Sequence, residues 1–117
     1  MPDERFPKSA HLRSGNDFER VYAAQTYAAD GVLVINGCRN DVGETRLGLS
    51  ISRKYGCAVV RNRWKRLIRE AFRKSRSALP VGWDLVVRPK RGAKPEYTAI
   101  AASFPRLVAQ LVRRAER

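Results

Sequence analysis

Arg61, Asn62, Arg63, Lys65, Arg66 and Arg69 fall within nine residues of one another, with Arg53 and Lys54 just upstream. The chemistry such a cluster can do is recognition of a polyanion. Arginine forks onto phosphate bidentately, and an asparagine amide both donates and accepts at a base edge or sugar hydroxyl. Between residues 53 and 76 there are ten cations and a single anion, Glu70. A solvated helix face ordinarily mixes signs, because opposite charges at i,i+4 help it and like charges cost about a few tenths of a kcal/mol each. This stretch forgoes that pairing, which points to an anion outside the chain. A helix beginning near residue 58 adds the positive end of its dipole and its unpaired N–H groups beside Arg61, a ready phosphate site.

Other chemistries are poorly supplied. His11 is the only histidine, so a histidine-based triad or metal centre is not expected. Cys38 and Cys57 lie in separate segments without a CxxC pair, and read as reduced thiols rather than a disulfide scaffold or zinc site. The chain has 24 Lys and Arg against 11 Asp and Glu, a formal net charge of +13. So large an excess repels itself in the compact state and makes sense beside a polyanion. No apolar run approaches the length of a membrane span and no signal-like segment opens the sequence. The expectation is a single soluble, cytoplasmic domain over residues 1–117.

The elements that must hold the cations follow from periodicity. Residues 1–13 are polar, with two prolines, and read as a flexible basic arm. Phe18, Val21 and Tyr22 recur at i, i+3, i+4 and predict a short helix over 16–25. Residues 31–39 are β-branched and apolar, and 46–52 alternate, so both read as strands; the polar loop between them predicts an antiparallel hairpin. The basic helix spans 58–75. Val60, Trp64, Leu67, Ile68, Ala71 and Phe72 form an apolar stripe roughly 140° wide, with Asn62, Arg66, Arg69 and Arg73 opposite. Residues 83–89 are nearly all apolar and predict a central strand covered on both faces. A last helix spans 97–114, with Pro105 predicting a kink or a late start. The order α-β-β-α-β-α argues a two-layer α/β (α+β) sandwich.

Three readings of the basic helix compete at this point. A DNA-reading helix-turn-helix wants a preceding helix, where a strand stands instead. A membrane-surface or calmodulin-target helix also has basic and apolar faces, but this stripe is needed to cover the sheet. An RNA-binding or ribosomal-type protein fits best.

The string "RLGLSISRKYGCAVVRNRWKRLIREAFR", with "LRSGNDFERVY" upstream and "GWDLVVRP" downstream, resembles the protein subunit of bacterial ribonuclease P. The resemblance covers most of the chain. It implies a small mixed sheet packed with helices and a left-handed β-α-β crossover around the basic helix, against the usual hand. It implies a protein that joins a catalytic RNA and assists removal of the 5′ leader from precursor tRNA. The RNA performs the hydrolysis with Mg2+; the protein alone holds no cofactor, carries no catalytic residue and has no obligate protein partner. Arg53, Lys54, Arg61, Asn62, Arg63, Lys65, Arg66 and Arg69 would contact RNA. The leader would lie between the first helix and the sheet, along Phe18, Tyr22 and Val34. Val34 stands where many members carry a tyrosine, so one stacking contact is expected to be missing. A ribosomal or other structural RNA-binding protein with a similar sandwich is the alternative.

Overall fold

The structure, a computed structural model, describes residues 7–12 and 14–116. Three helices, α1 (Gly15–Ala23), α2 (Ala58–Ser75) and α3 (Tyr97–Ala115), accompany four strands, β1 (Tyr27–Ala29), β2 (Leu33–Arg39), β3 (Arg46–Leu49) and β4 (Trp83–Pro89). The sheet order is β1-β2-β4-β3. β2 is antiparallel to both β1 and β4, whereas β3 runs parallel to β4, so the sheet is mixed. The basic helix α2 is the crossover between the parallel neighbours β3 and β4.

The expected hairpin does not form: β4 lies between β2 and β3. The reason is burial. Five consecutive residues of β4, Trp83 to Val87, are buried, and an apolar strand of that kind needs a hydrogen-bonded neighbour on each edge. The loop between β2 and β3 therefore spans an intervening strand. β1 was not anticipated; three residues with two alanines carry no periodic signal, and pairing with β2 defines the strand.

α2 and α3 form one layer on the sheet. Trp64, Ile68, Ala71 and Phe72 of α2 meet Ile100, Phe104, Leu107 and Leu111 of α3 over Leu33, Ile35, Leu85 and Val87. Phe72 and Phe104 pack edge to face, with ring centroids 6.1 Å apart, a geometry aromatic quadrupoles favour. α3 runs unbroken from Tyr97 through Pro105, with neither a break nor a late start. Pro105 is exposed, so the carbonyl it leaves without an N–H partner lies on the solvent side of the helix.

α1 lies on the opposite face of the sheet and covers only part of it. Val21 packs there on Val86 and Leu12. Residues 1–6 and 13 of the expected arm lie outside the described residues. The rest is built into the fold: residues Lys8–Ala10 make a 3-10 turn, and Ala10 and Leu12 are buried. The Leu12 N–H donates to the Leu47 carbonyl at 2.8 Å, extending the sheet beyond β3. Apolar Ala10 and Leu12 within a polar stretch give this segment its anchor.

Asp30, in the turn before β2, ties the sheet to α3. It accepts from the Val32 and Leu33 N–H groups, the Ser103 hydroxyl and Arg106. Burial alone would push its pKa up; the Ser103 and backbone hydrogen bonds, with Arg106, more than offset this and hold it at about 2. A carboxylate depressed in the folded state stabilises the protein above its unfolded pKa, and that contribution is lost as pH falls through the folded value. Asp30→Asn is expected to lower stability at neutral pH by about 1–2 kcal/mol, allowing for solvent around Arg106. Urea unfolding should show the gap to the parent narrowing as pH approaches about 2. A gap unchanged with pH would show that the charge of Asp30 contributes nothing.

Candidate nucleic-acid interface

Strand register places one row of residues across the α1 side of the sheet: Tyr27, Asn36, Val86 and Gly48 are successive Cα partners. α1 follows this row. Phe18 sits over Gly48, Val21 over Val86, and Tyr22 beside Asn36. Gly48 is required by this contact, since a Cβ there would come within 2.7 Å of the Phe18 ring and 3.2 Å of Leu12.

The next row on one side is Cys38, Asp84 and Arg46, and it locks α1 in place. Asp84 is fully buried. Arg46 binds its carboxylate bidentately, with both contacts at 2.7 Å; the Asn40 amide donates at 2.7 Å, and Arg20 of α1 completes the set. Burial would raise the Asp84 pKa, but Arg46, Asn40 and Arg20 together hold it below the usual carboxylate range. The signal for this site was an aspartate inside an apolar strand, which the sequence reading passed over.

The opposite flank of α1 is open, and carries Phe18 and Tyr22. Phe18 lines a groove of about 550 Å³ with His11, Leu12, residues 47–49 of β3, and Lys65 and Arg69 of α2. Phe18 is therefore both half-buried packing on the sheet and part of the groove wall. Tyr22 is 37% exposed and lines a separate recess of about 450 Å³ with Gln25, Tyr27, Asn36 and Arg88. Val34 faces the same side as Asn36, and each is 8% exposed, but Val34 does not line the recess. The β2 residue beside Tyr22 is Asn36, whose side-chain oxygen accepts from Arg88 at 2.9 Å. Neither Asn36 nor Arg88 was singled out by sequence, because a strand read as apolar on both faces gives no reason to look for polar residues on one of them.

The cations of α2 do not form one patch. Arg61, Lys65 and Arg69 succeed one another at i,i+4 on one flank, and Lys65 and Arg69 reach the Phe18 groove. The Arg61 side chain donates to the Gly56 carbonyl at 3.2 Å, bracing the turn before the helix. Asn62, Arg63 and Arg66 are exposed to solvent. Lys54 lies across Trp64 from the groove, in a second recess with Lys90 and Arg91, and stacks over Tyr55 at 5.3 Å; Arg53, beside it, is exposed. The nearby acids are already committed, Glu70 to Arg73 and Lys74, and Glu44 to Arg76. Among the described residues, Arg53, Arg61, Arg63, Lys65, Arg66 and Arg69 form no ion pair. The start of α2 is electropositive enough that the Val60 and Val59 N–H groups, with Arg61, lower the pKa of the Cys57 thiol.

Trp64, Ile68, Ala71 and Phe72 are buried, so the apolar stripe of α2 is consumed by the core and is not free for a membrane or a partner groove. No helix among the described residues is long and apolar enough to cross a membrane. A strand and a 3-10 turn precede α2, not a helix. What remains is a cationic helix beside a groove with an aromatic wall.

Comparison with known proteins decides the family. The ribonuclease P family profile matches residues 6–112. The chain belongs to the ribonuclease P protein family. It is 36% identical to the ribonuclease P protein component of Lachnoclostridium phytofermentans over 100 residues, covering 85% of this chain and 86% of that one. Identity to the component from Thermotoga petrophila is 33% over 97 residues, covering 83% of each. The solved RNase P protein of Staphylococcus aureus superposes with a TM-score of 0.76 at 31% identity, over 92% of this chain and 96% of that chain. The Thermotoga maritima protein gives 0.65 at 28% identity, over 90% and 93%. Membership places the chain in tRNA processing, as a subunit of the endoribonuclease ribonuclease P with an RNA partner in the holoenzyme.

Asp84→Asn should be severely destabilising. It leaves Arg20 and Arg46 facing each other without their shared carboxylate, and breaking a buried pair from one side costs about 3–5 kcal/mol. Denaturant unfolding checks this, and a loss under about 1 kcal/mol, the level of an exposed pair, would show that the network does not hold α1 to the sheet.

Proposed function

We propose that this ribonuclease P protein binds the catalytic RNA through the cationic face of α2 and receives the 5′ leader of precursor tRNA in the groove beside α1. The observation that carries the reading is the Phe18 groove, where an aromatic wall faces Lys65 and Arg69. Rings stack on unpaired bases with little sequence preference, while cations follow the phosphates. Arg63 and Arg66, exposed and without acidic partners, suit the backbone of a folded RNA. Arg53, Lys54, Arg61 and Asn62 extend that surface around the start of α2.

In this reading the protein positions and the RNA cleaves. Mg2+ supplies the activated water and charge stabilisation of phosphodiester hydrolysis. In this reading the ions belong to the RNA, and no step is routed through a protein-bound metal. The side chains of this chain neutralise phosphates and hold single-stranded bases away from solvent.

The direct test is reconstitution. Mixed with a bacterial ribonuclease P RNA at low magnesium, the protein should restore leader removal, and RNA-free protein should give none. Failure to rescue would return the chain to a structural RNA binder. Neutralising Arg61 and Arg63 together is expected to weaken RNA binding and reduce the slope of log affinity against log salt by about 1.5. An unchanged slope would move the RNA to another face.

Tyr22 lies in a recess apart from the α2 cations, whereas Phe18 shares its groove with them. Tyr22→Ala should therefore weaken binding of precursor tRNA by about 1–3 kcal/mol and leave binding of mature tRNA and assembly with the RNA nearly intact. Equal losses on both tRNA forms would take Tyr22 out of the leader path.

A further inference from the structure

The Tyr22 recess opens onto another towards the β1 edge. The Tyr22 recess shares Gln25 and Tyr27 with a further recess of about 390 Å³, lined also by Thr26 and by Arg114 of α3. Tyr27 stands between the two and is 53% exposed, the more exposed of the two tyrosines on this route. It belongs to β1, the edge strand of the sheet, and faces Asn36 across the β1–β2 pair. An exposed ring at that position is not core packing: Tyr27 joins neither of the two buried apolar clusters.

The surroundings of the ring are cationic. Arg88 lies on the near side, oriented by its bond to the Asn36 oxygen at 2.9 Å. Arg114 lies on the far side and donates to the Tyr27 carbonyl at 2.5 Å, which fixes its guanidinium beside the ring and leaves further N–H groups. No carboxylate lines either recess. Gln25 adds a local cost: its φ of 54° is the left-handed conformation that glycine adopts freely and other residues adopt at about 1–2 kcal/mol. Gln25 lines both recesses.

We infer that Tyr27, with Arg114 and Gln25, forms a distal single-stranded nucleotide subsite at the β1 edge, which continues the leader path beyond Tyr22. The occupant is RNA because the two recesses adjoin through Gln25 and Tyr27 and are aromatic and cationic, with a polar amide to meet a base edge and two guanidinium groups to meet phosphates. This rests on the leader reading proposed above and adds nucleotides to it. The exposed ring stacks one base, and Arg114 neutralises the phosphate next to it.

The test is leader length. Precursor tRNAs with leaders extended one nucleotide at a time are titrated against reconstituted holoenzyme carrying the parent protein, Tyr27→Ala, Tyr27→Phe or Arg114→Gln. With the parent, affinity should rise at short leaders and rise again when the leader reaches β1. Tyr27→Ala should abolish the second rise, an effect of about fivefold or more for one stacked base, and leave the first. Tyr27→Phe, which keeps the ring, should restore it. Arg114→Gln should lower long-leader affinity and flatten its salt dependence, leaving short leaders unaffected. A Tyr27→Ala curve that follows the parent at every length overturns the subsite and leaves the Tyr22 reading standing. A parent holoenzyme that binds leaderless and long-leader tRNA alike overturns both.

Discussion

A single buried carboxylate organises the interface. Asp84 is the second residue of β4 and has no solvent contact, and a charge there is tolerable only with partners that neutralise it and fill its lone pairs. Those partners come from three places: Arg46 on β3, Asn40 in the loop after β2, and Arg20 on α1. The same set joins β3 to β4, closes the long loop, and pins one flank of α1. Asp17 adds a weaker contact to both arginines, at 3.6 Å to Arg20 and 3.8 Å to Arg46. With that flank pinned, the other must face the open strip of the sheet, and Phe18 and Tyr22 are on it.

The same arrangement explains how so basic a chain keeps a functional charge. Several of its carboxylates are spent on structure: Asp84 in the sheet, Asp30 between the turn and α3, Glu44 with Arg76, and Glu70 with Arg73 and Lys74. Arginines that hold the fold together are therefore matched, and those around the start and outer flank of α2 are not. The excess charge is concentrated where it costs the compact state least, on the exposed face of a helix whose apolar stripe, Trp64 and Phe72 included, is buried in the core. A polyanion meeting this face relieves repulsion as well as gaining contacts.

Aromatic residues divide in a similar way. Trp64, Trp83, Phe72 and Phe104 are buried and hold α2 and α3 to the sheet. Phe18, Tyr22 and Tyr27 lie on the α1 side, where the helix covers only one band of the sheet and leaves the rest open. The helical layer is thus the stable half of the molecule, and the thinly covered face is the half with room for an extended strand of nucleotides. The proposed function uses both: a rigid cationic helix for a folded RNA and an open channel for a single strand.

The basic helix was legible in the sequence because it is a local object. A 3.6-residue period over 18 residues set its bounds at Ala58–Ser75, and the apolar stripe named the residues that the core buries. The family was legible from the same string. The strand order was not. Nothing local to residues 39–45 says that β4 comes between β2 and β3, since that depends on which edges a distant apolar strand can bury. Nor could the sequence show that Asn36 borders the Tyr22 recess and Val34 does not, although the two are equally buried neighbours on one face. Nor could it show which α2 cations border β3: Lys65 and Arg69 line the groove with residues 47–49, and Arg63 is left in solvent. Tyr27 carries no signal in the sequence, because three residues show no period. Its place between Arg88 and Arg114 exists only through pairing of an edge strand with residues far along the chain, and such contacts are decided by tertiary packing.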